Sequence, residues 1–380
     1  MRNKTLTFAF AFAVLAAFGF AAPRPANAIP LFAQRYRLQC GACHSVLPEL
    51  NAFGNSFRNH GYQLPNLPRH GTTGIALRYQ MEYEDQPSAG SRRFSPGGIL
   101  LTNWDFGQVS AFVHYSLGAG GGPSGVFLSY LATYNRPTHS LYRIGLFELP
   151  LAQSPGQRND TVSSYGYYGA HVGLNDLPLS SPRWGGQAER TFGSTTADVT
   201  IDFGEFKGAA YGGKPIPTGE TTWANSPEVG LWLKGALLPS VVVGGEYLTG
   251  ARHIVPDGRP IFVDPYRREG LLLHAFRGKL DFQAEQWWGQ DNNPDGAGTL
   301  TGSSGGYARL KYYPAPHWYL GVRYDAQATP FITHDVIYYT AFHVTPHVRL
   351  LLQDVHQIAV PGPDHIGGAL TVGLPWPPKV

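Results

Sequence analysis

The sequence predicts a mainly β protein: a transmembrane antiparallel β-barrel of roughly sixteen strands, preceded by a small α-helical segment. Three observations predict it. From Thr72 onward, apolar and polar residues alternate with period two, the pattern of a strand with one apolar and one polar face. Charged residues make up only 14% of the chain, against about 25% in ordinary soluble domains. Aromatics reach 13% and gather near the ends of the alternating stretches, where a barrel meets the membrane interfaces. No run of about 18 apolar residues occurs after the N-terminal stretch, so a helical membrane span is not expected there.

The N-terminal stretch comes first. MRNK is a short positive start, LTFAFAFAVLAAFGFAA an apolar run, and PANA supplies Ala26 and Ala28 in a small-x-small cleavage pattern. Residues 1–28 therefore read as a secretory signal peptide, with the mature chain starting at Ile29. Arg2, Lys4 and Arg24 lie in this leader and no acid does, so the rest of the chain balances its 26 acids with as many Lys and Arg. Nucleic acid is thus not an expected partner, because such binding needs a net or clustered positive field.

Both cysteines of the chain then fall in QCGACHSVL. Cys40-x-x-Cys43-His44 is the attachment signature for c-type haem. Two thiols add across the two vinyl groups of the ring, and the adjacent histidine becomes the proximal iron ligand. On a helix the three residues stand at i, i+3 and i+4 and share one side. Rival uses fit less well. A structural zinc site needs four ligands, and no second Cys/His pair lies at finger spacing. A bare CxxC disulfide closes too small a loop to stabilise much. Upstream, Phe32 and Tyr36 stand at four-residue steps before Cys40. Downstream, Pro48 suits a helix start, and Leu47, Leu50, Phe53, Gly54 and Phe57 recur at spacings of three and four. Gly54 would let backbone approach a flat ring closely, and Gly61 is a good helix terminator. Residues 29–70 thus read as a haem-binding segment, too small to be stable alone, and 71–380 as a porin-like barrel.

The clearest strands of that barrel lie late in the chain. KLDFQAEQWWGQ sets Leu280, Phe282, Ala284 and Trp288 against Asp281, Gln283, Glu285 and Trp287. HWYLGVRYDAQ sets Trp318, Leu320, Val322 and Tyr324 against Tyr319, Arg323 and Asp325. Short turns such as YYPAPHW and HVTPH alternate with longer loops such as TGARHIVPDGRPIFVDPYRRE. Residues 150–225 are the least regular part. The rival architecture is a soluble all-β protein with one wet face. The ending GALTVGLPWPPKV, with Trp376 short of the terminus, departs from the terminal aromatic common in outer-membrane barrels.

Taken together, the leader, PLFAQRYRLQCGACHSVLPELNAFGNSFRNHGYQLP and the alternating remainder resemble the outer-membrane cytochrome–porin fusions. That family carries one haem c at the N-terminus of a barrel and includes Fe(II)-oxidising outer-membrane cytochromes. The resemblance is specific over residues 30–65 and architectural beyond. It implies one covalent haem c held by Cys40 and Cys43, with His44 as proximal ligand, inside or at the mouth of the barrel. It also implies electron transfer across the outer membrane of a Gram-negative bacterium. The expected partners are outer-membrane lipid, a periplasmic carrier such as a soluble cytochrome, and an extracellular donor or acceptor with Fe(II) the leading donor. The expected activity, if any, is an Fe(II):cytochrome c oxidoreductase. Two alternatives stand beside it: a diffusion porin plugged by the haem segment, and a periplasmic electron carrier.

For the second axial position His60, which closes the second helix, is the preferred iron ligand, with His70 just beyond. Met81 shares its face with Leu77, Tyr79 and Tyr83, the lipid side, and is a poor ligand. His114, His171, His274, His317, His334, His343, His347, His356 and His365 share no ligand spacing and read as lumen or interface residues. Asp281, Glu285, Glu246 and Asp335 on the polar faces suit a weakly held divalent ion, or are lumen charges balanced by Arg309, Lys311, Arg323 and Arg349.

Overall fold

The computed structural model describes residues 32, 35–38, 40–46, 49–50, 52–59, 62–64, 74–86, 91–118, 124–153, 160–175, 178–203, 227–254, 260–315, 317–328, 332–345, 348–359 and 364–376. The proposed leader lies outside them.

The N-terminal unit holds α1 (Cys40–Cys43), the short paired strands β1 (His44–Val46) and β2 (Glu49–Leu50), and α2 (Ala52–Asn59). The barrel follows as β3 (Ile75–Gln86), β4 (Ser91–Phe106), β5 (Val109–Leu117), β6 (Ser124–Asn135), β7 (Ser140–Phe147), β8 (Arg183–Phe192), β9 (Thr195–Asp202) and β10 (Glu228–Leu238). It continues as β11 (Val241–Ile254), β12 (Phe262–Arg277), β13 (Leu280–Asp291), β14 (Thr301–Ala315), β15 (Trp318–Gln327), β16 (Thr333–Thr345), β17 (Val348–Gln357) and β18 (His365–Trp376). Each strand pairs antiparallel with its sequence neighbours, and β18 pairs with β3 to close the ring of sixteen. Closure removes every strand edge, which is the condition for a sheet to sit in lipid.

The alternation behaves as the sequence predicts. In β13, Asp281, Gln283, Glu285 and Trp287 point inward and are buried, while Leu280 and Trp288 are exposed on the outside. In β14, Arg309 and Lys311 point inward and Leu310 and Tyr312 outward. Ile144, Val199, Leu233, Leu271 and Leu273 extend the exposed apolar belt. Phe106, Phe192, Phe276 and Tyr312 ring its short-turn end, and Tyr83, Phe94, Trp184, Trp288 and Tyr324 ring the other. An apolar band between two aromatic girdles on a closed, even-stranded sheet is an outer-membrane barrel, not a soluble sheet with a wet face. Two short turns are made by Gly107 (φ 83°) and Gly278 (φ 60°), whose backbone a side chain would strain.

Three local expectations need correction. The segment from Thr249 to Glu269 is mostly strand: β11 reaches Ile254 and β12 starts at Phe262. Its charges are tolerated because Arg252 and Asp264 face inward, while Arg267 and Glu269 stand outside on the end of β12 away from the short turns. The terminal aromatic is no exception either, since Trp376 is the last residue of β18 and pairs with Ile75. In the N-terminal unit, Arg37 takes a positive φ of 52°, so the helical phase does not run from Tyr36 to Cys40.

Candidate functional site

The N-terminal unit lodges inside the barrel, at the end that carries the short turns. Its core is Phe32, Tyr36, Cys43 and Phe57 packed on Ala76 of β3, with Leu50 and Tyr62 against them. Phe32 stacks on Tyr62 at 4.6 Å between ring centroids, and Phe57 meets both edge-on. The contact then passes to the wall: Tyr62 stacks on Phe112 of β5 at 5.5 Å, and Phe112 on Tyr130 of β6 at 5.2 Å. Arg35 adds a fork to the inward Asn103 of β4, one arm to the side-chain oxygen and one to the backbone oxygen at 2.6 Å. Tyr36 ties residues 62–64 down, its hydroxyl donating to the Tyr62 carbonyl at 3.4 Å and accepting from the Leu64 amide at 3.2 Å.

The sequence-predicted residues fall as follows. Cys40 and Cys43 open and close the single turn of α1. The Cys43 thiol is buried in the aromatic core, and burial pushes its pKa up. His44 is not a continuation of that turn: it begins β1 and pairs with Leu50. That hairpin delays α2 to Ala52, and Leu50, Gly54 and Phe57 then face the core while Phe53 is 41% exposed. A Cβ on Gly54 would overlap the Cys43 carbonyl, so the close approach it permits is helix to helix. The Tyr62 amide donates to the Phe57 carbonyl at 3.0 Å and closes α2. His60, His70 and His347 lie outside the described residues. Met81 occupies the outward face of β3, as expected.

A second insertion was not legible in the sequence. Between β7 and β8, the described residues 148–153, 160–175 and 178–182 fold into the lumen from the other end. Tyr165, Tyr167 and Tyr168 pack on Trp232, Leu248, Trp287 and Tyr307, which point inward from β10, β11, β13 and β14. Asp160 pairs with both Arg309 and Lys311, the latter at 2.7 Å. Arg323 donates to Thr161 Oγ1 at 2.6 Å and to the Ser164 carbonyl at 3.0 Å. Gln353 accepts from the amides of Val162 and Ser163 at 2.7 and 3.1 Å.

The lumen acids are accordingly engaged. Glu285 accepts from Tyr168 and from Trp287 Nε1, Asp281 meets His274 at 3.1 Å, and Glu246 lies 3.5 Å from Lys234. Arg309 and Lys311 are balanced by Asp160 of the inserted loop, a partner that strand patterns alone could not supply. Among the described residues no three His, Cys, Asp or Glu side chains are grouped to hold a metal ion.

Comparison with known proteins supports the fold. No family model matches the chain, and no curated protein matches it. Solved structures do. The anion-selective porin from Comamonas acidovorans superposes with a TM-score of 0.55 at 11% identity, covering 79% of this chain and 98% of that one. OmpF of Salmonella typhi, in complex with daunomycin, gives 0.55 at 8% identity over 79% and 97%. OmpT of Vibrio cholerae, as expressed in the outer membrane, gives 0.51 at 10% identity over 79% and 96%. The chain has the sixteen-strand fold of outer-membrane porins.

Proposed function

We propose that this chain is an outer-membrane monohaem c-type cytochrome of a Gram-negative bacterium. It passes single electrons between an extracellular donor or acceptor, Fe(II) the leading donor, and a periplasmic carrier such as a soluble cytochrome. The observation that carries this reading is the place of the Cys40-x-x-Cys43-His44 motif. It sits in a unit lodged within the barrel at the short-turn end, the periplasmic side of such barrels, where a soluble carrier can approach.

The residues there fit a covalent haem c. The two cysteines flank one helical turn, His44 follows directly, and the Cys43 thiol opens into a cluster of four aromatic rings. When bound, such a group supplies a one-electron iron couple. The chain's own residues do the rest. Cys40 and Cys43 would tether it, His44 would supply a nitrogen base to its iron, the aromatic cluster would exclude water, and the Arg35–Asn103 fork fixes the unit to the wall. With Fe(II) as donor, one electron leaves each iron ion and passes on to the carrier.

Expression with a haem-attachment system tests the reading. A haem-stained denaturing gel is expected to show wild-type protein carrying haem, and Cys40→Ala, Cys43→Ala and His44→Ala lacking normal haem c. Wild type without covalent haem would sink the cytochrome reading. Haem that dithionite reduces but Fe(II) does not would remove iron as the direct donor and leave the conduit standing.

The likeness to porins favours a second reading, a diffusion channel with the N-terminal unit as plug. Arg252, Asp264, Lys311, Arg323 and Gln353 point into the lumen yet are 0% exposed, which speaks against a water-filled pore along β11–β17. Steady conductance of the wild-type protein in a planar bilayer at the level of an open porin would favour the channel.

A further inference from the structure

A haem held by the N-terminal unit has one axial position left for the protein to fill, and the lumen wall offers a ligand for it. We infer that His114, on the inner face of β5, is the second axial ligand. This rests on the cytochrome reading above and deepens it.

The inference starts from an imidazole that the barrel alone does not explain. His114 is 3% exposed and points inward between Leu101 of β4 and Leu128 of β6, both buried and apolar. Its ring packs on Phe127 at 5.1 Å. Among the described residues its buried Nδ1 has no hydrogen-bond partner. Leaving a buried polar nitrogen unpaired forfeits its hydration with nothing in return, a loss that a leucine at the same place would avoid.

Position supplies the second ground. Phe112, the wall residue on which Tyr62 stacks, is two residues before His114 on the same inner face. At about 3.4 Å per strand residue, His114 stands about 7 Å further along the wall from the contact made by the N-terminal unit. The pairing of β5 with β6 shifts register between His114 and Tyr115. Such bulges re-aim a side chain next to functional sites.

Elimination supplies the third. Haem iron in electron-transfer proteins takes His or Met as its second ligand. Met81, the one methionine after the leader, faces outward on β3. His114 is the one histidine in strands β3–β7, the wall on which the N-terminal unit rests. His60 competes from the unit itself and is the necessary control.

The test uses full-length protein in detergent, loaded with haem by a host attachment system, with heat-modifiable gel migration as the check on barrel folding. Wild type is expected to give the optical and EPR spectra of a six-coordinate, low-spin ferric haem. His114→Ala is expected to retain covalent haem, turn high-spin, and return to low-spin on adding imidazole. His114→Met, which restores a ligand and guards against a folding defect, is expected to stay low-spin with a raised reduction potential. His60→Ala is expected to match wild type. His114→Ala that carries haem with an unchanged low-spin spectrum would overturn the assignment, as would a high-spin wild type or loss of the low-spin signal in His60→Ala alone. Wild type with no covalent haem would instead overturn the cytochrome reading itself, and this assignment with it.

Discussion

Replacing Asp160 by alanine is expected to release the inserted loop while leaving the barrel intact. Asp160 meets both Arg309 and Lys311, and all three side chains are at most 1% exposed. Removing it leaves two cations in a dry site without their shared counter-charge. Breaking a buried pair in this way costs about 3–5 kcal/mol. The barrel need not bear that cost, because opening of residues 148–182 lets water reach Arg309 and Lys311. The closed loop is therefore destabilised against the open one, and at about 1.4 kcal/mol per decade the opening constant rises at least a hundredfold. The amides of Val162 and Ser163, held by Gln353, report it directly. Hydrogen exchange followed by mass spectrometry, in detergent micelles, is expected to show these amides exchanging about a hundredfold or more faster in Asp160→Ala than in wild type. Asp160→Asn, which keeps an acceptor but not the charge, is expected to fall between. Exchange in β13 and β14 is expected to stay slow. If the loop amides exchange at the wild-type rate in Asp160→Ala, the triad does not hold the loop.

Three further outcomes are expected. Gly54→Ala places a methyl group against the Cys43 carbonyl and is expected to destabilise the N-terminal unit by about 1–3 kcal/mol; the yield of haem-stained protein drops while heat-modifiable migration of the barrel is unchanged. Arg35→Met removes both hydrogen bonds to Asn103, a loss of about 1.5–3 kcal/mol for a charged donor, and limited proteolysis is expected to cut between α2 and β3 faster than in wild type. Leu271→Arg sets a charge in the outer belt and is expected to cost about 2–4 kcal/mol near the bilayer midplane, read as a lower urea midpoint in folding from lipid vesicles, whereas Leu272→Ala on the inner face leaves the lipid contact unchanged.

The strands were legible wherever their two faces differ in chemistry. β13, β14 and β15 carry charges on one side and apolar or aromatic residues on the other, so period two fixes both their existence and their orientation. The same signal fails beyond the belt, where Arg252 and Asp264 face inward and Arg267 and Glu269 outward, because both faces are then polar and the stretch looks like a loop. The inserted loop was illegible for a different reason. Tyr165, Tyr167 and Tyr168 follow no period, and what buries them is the far wall of a closed barrel, separated in sequence by as much as 142 residues between Tyr165 and Tyr307. In the N-terminal unit the cysteines and Phe57 were legible by spacing. The displacement of His44 into β1 was not, because a two-strand hairpin within the seven residues from His44 to Leu50 leaves no periodic trace.

The porin likeness and the lumen pull in different directions, and the difference lies in what the inner faces carry. The anion-selective porin and OmpF share the wall at 8–11% identity, which is a statement about sixteen paired strands and no statement about their contents. Here the wall is divided. Strands β4–β7 turn Ile99, Leu101, Phe112, Leu128, Tyr130, Leu141 and Phe147 inward, an apolar and aromatic surface. Strands β8–β15 turn Arg183, Glu228, Arg252, Asp264, Glu285, Arg309 and Arg323 inward. A water-filled lumen gives no reason for the first surface, since apolar area facing water contributes nothing and burying it gains about 25 cal/mol per Å². It is accounted for once Tyr62 and the N-terminal unit cover it. The charged surface is accounted for by the inserted loop, whose polar groups and Asp160 meet it. Each half of the wall is thus matched to a different insertion, one from each mouth, and the pairing of wall with content sets this barrel apart from an open channel of the same fold.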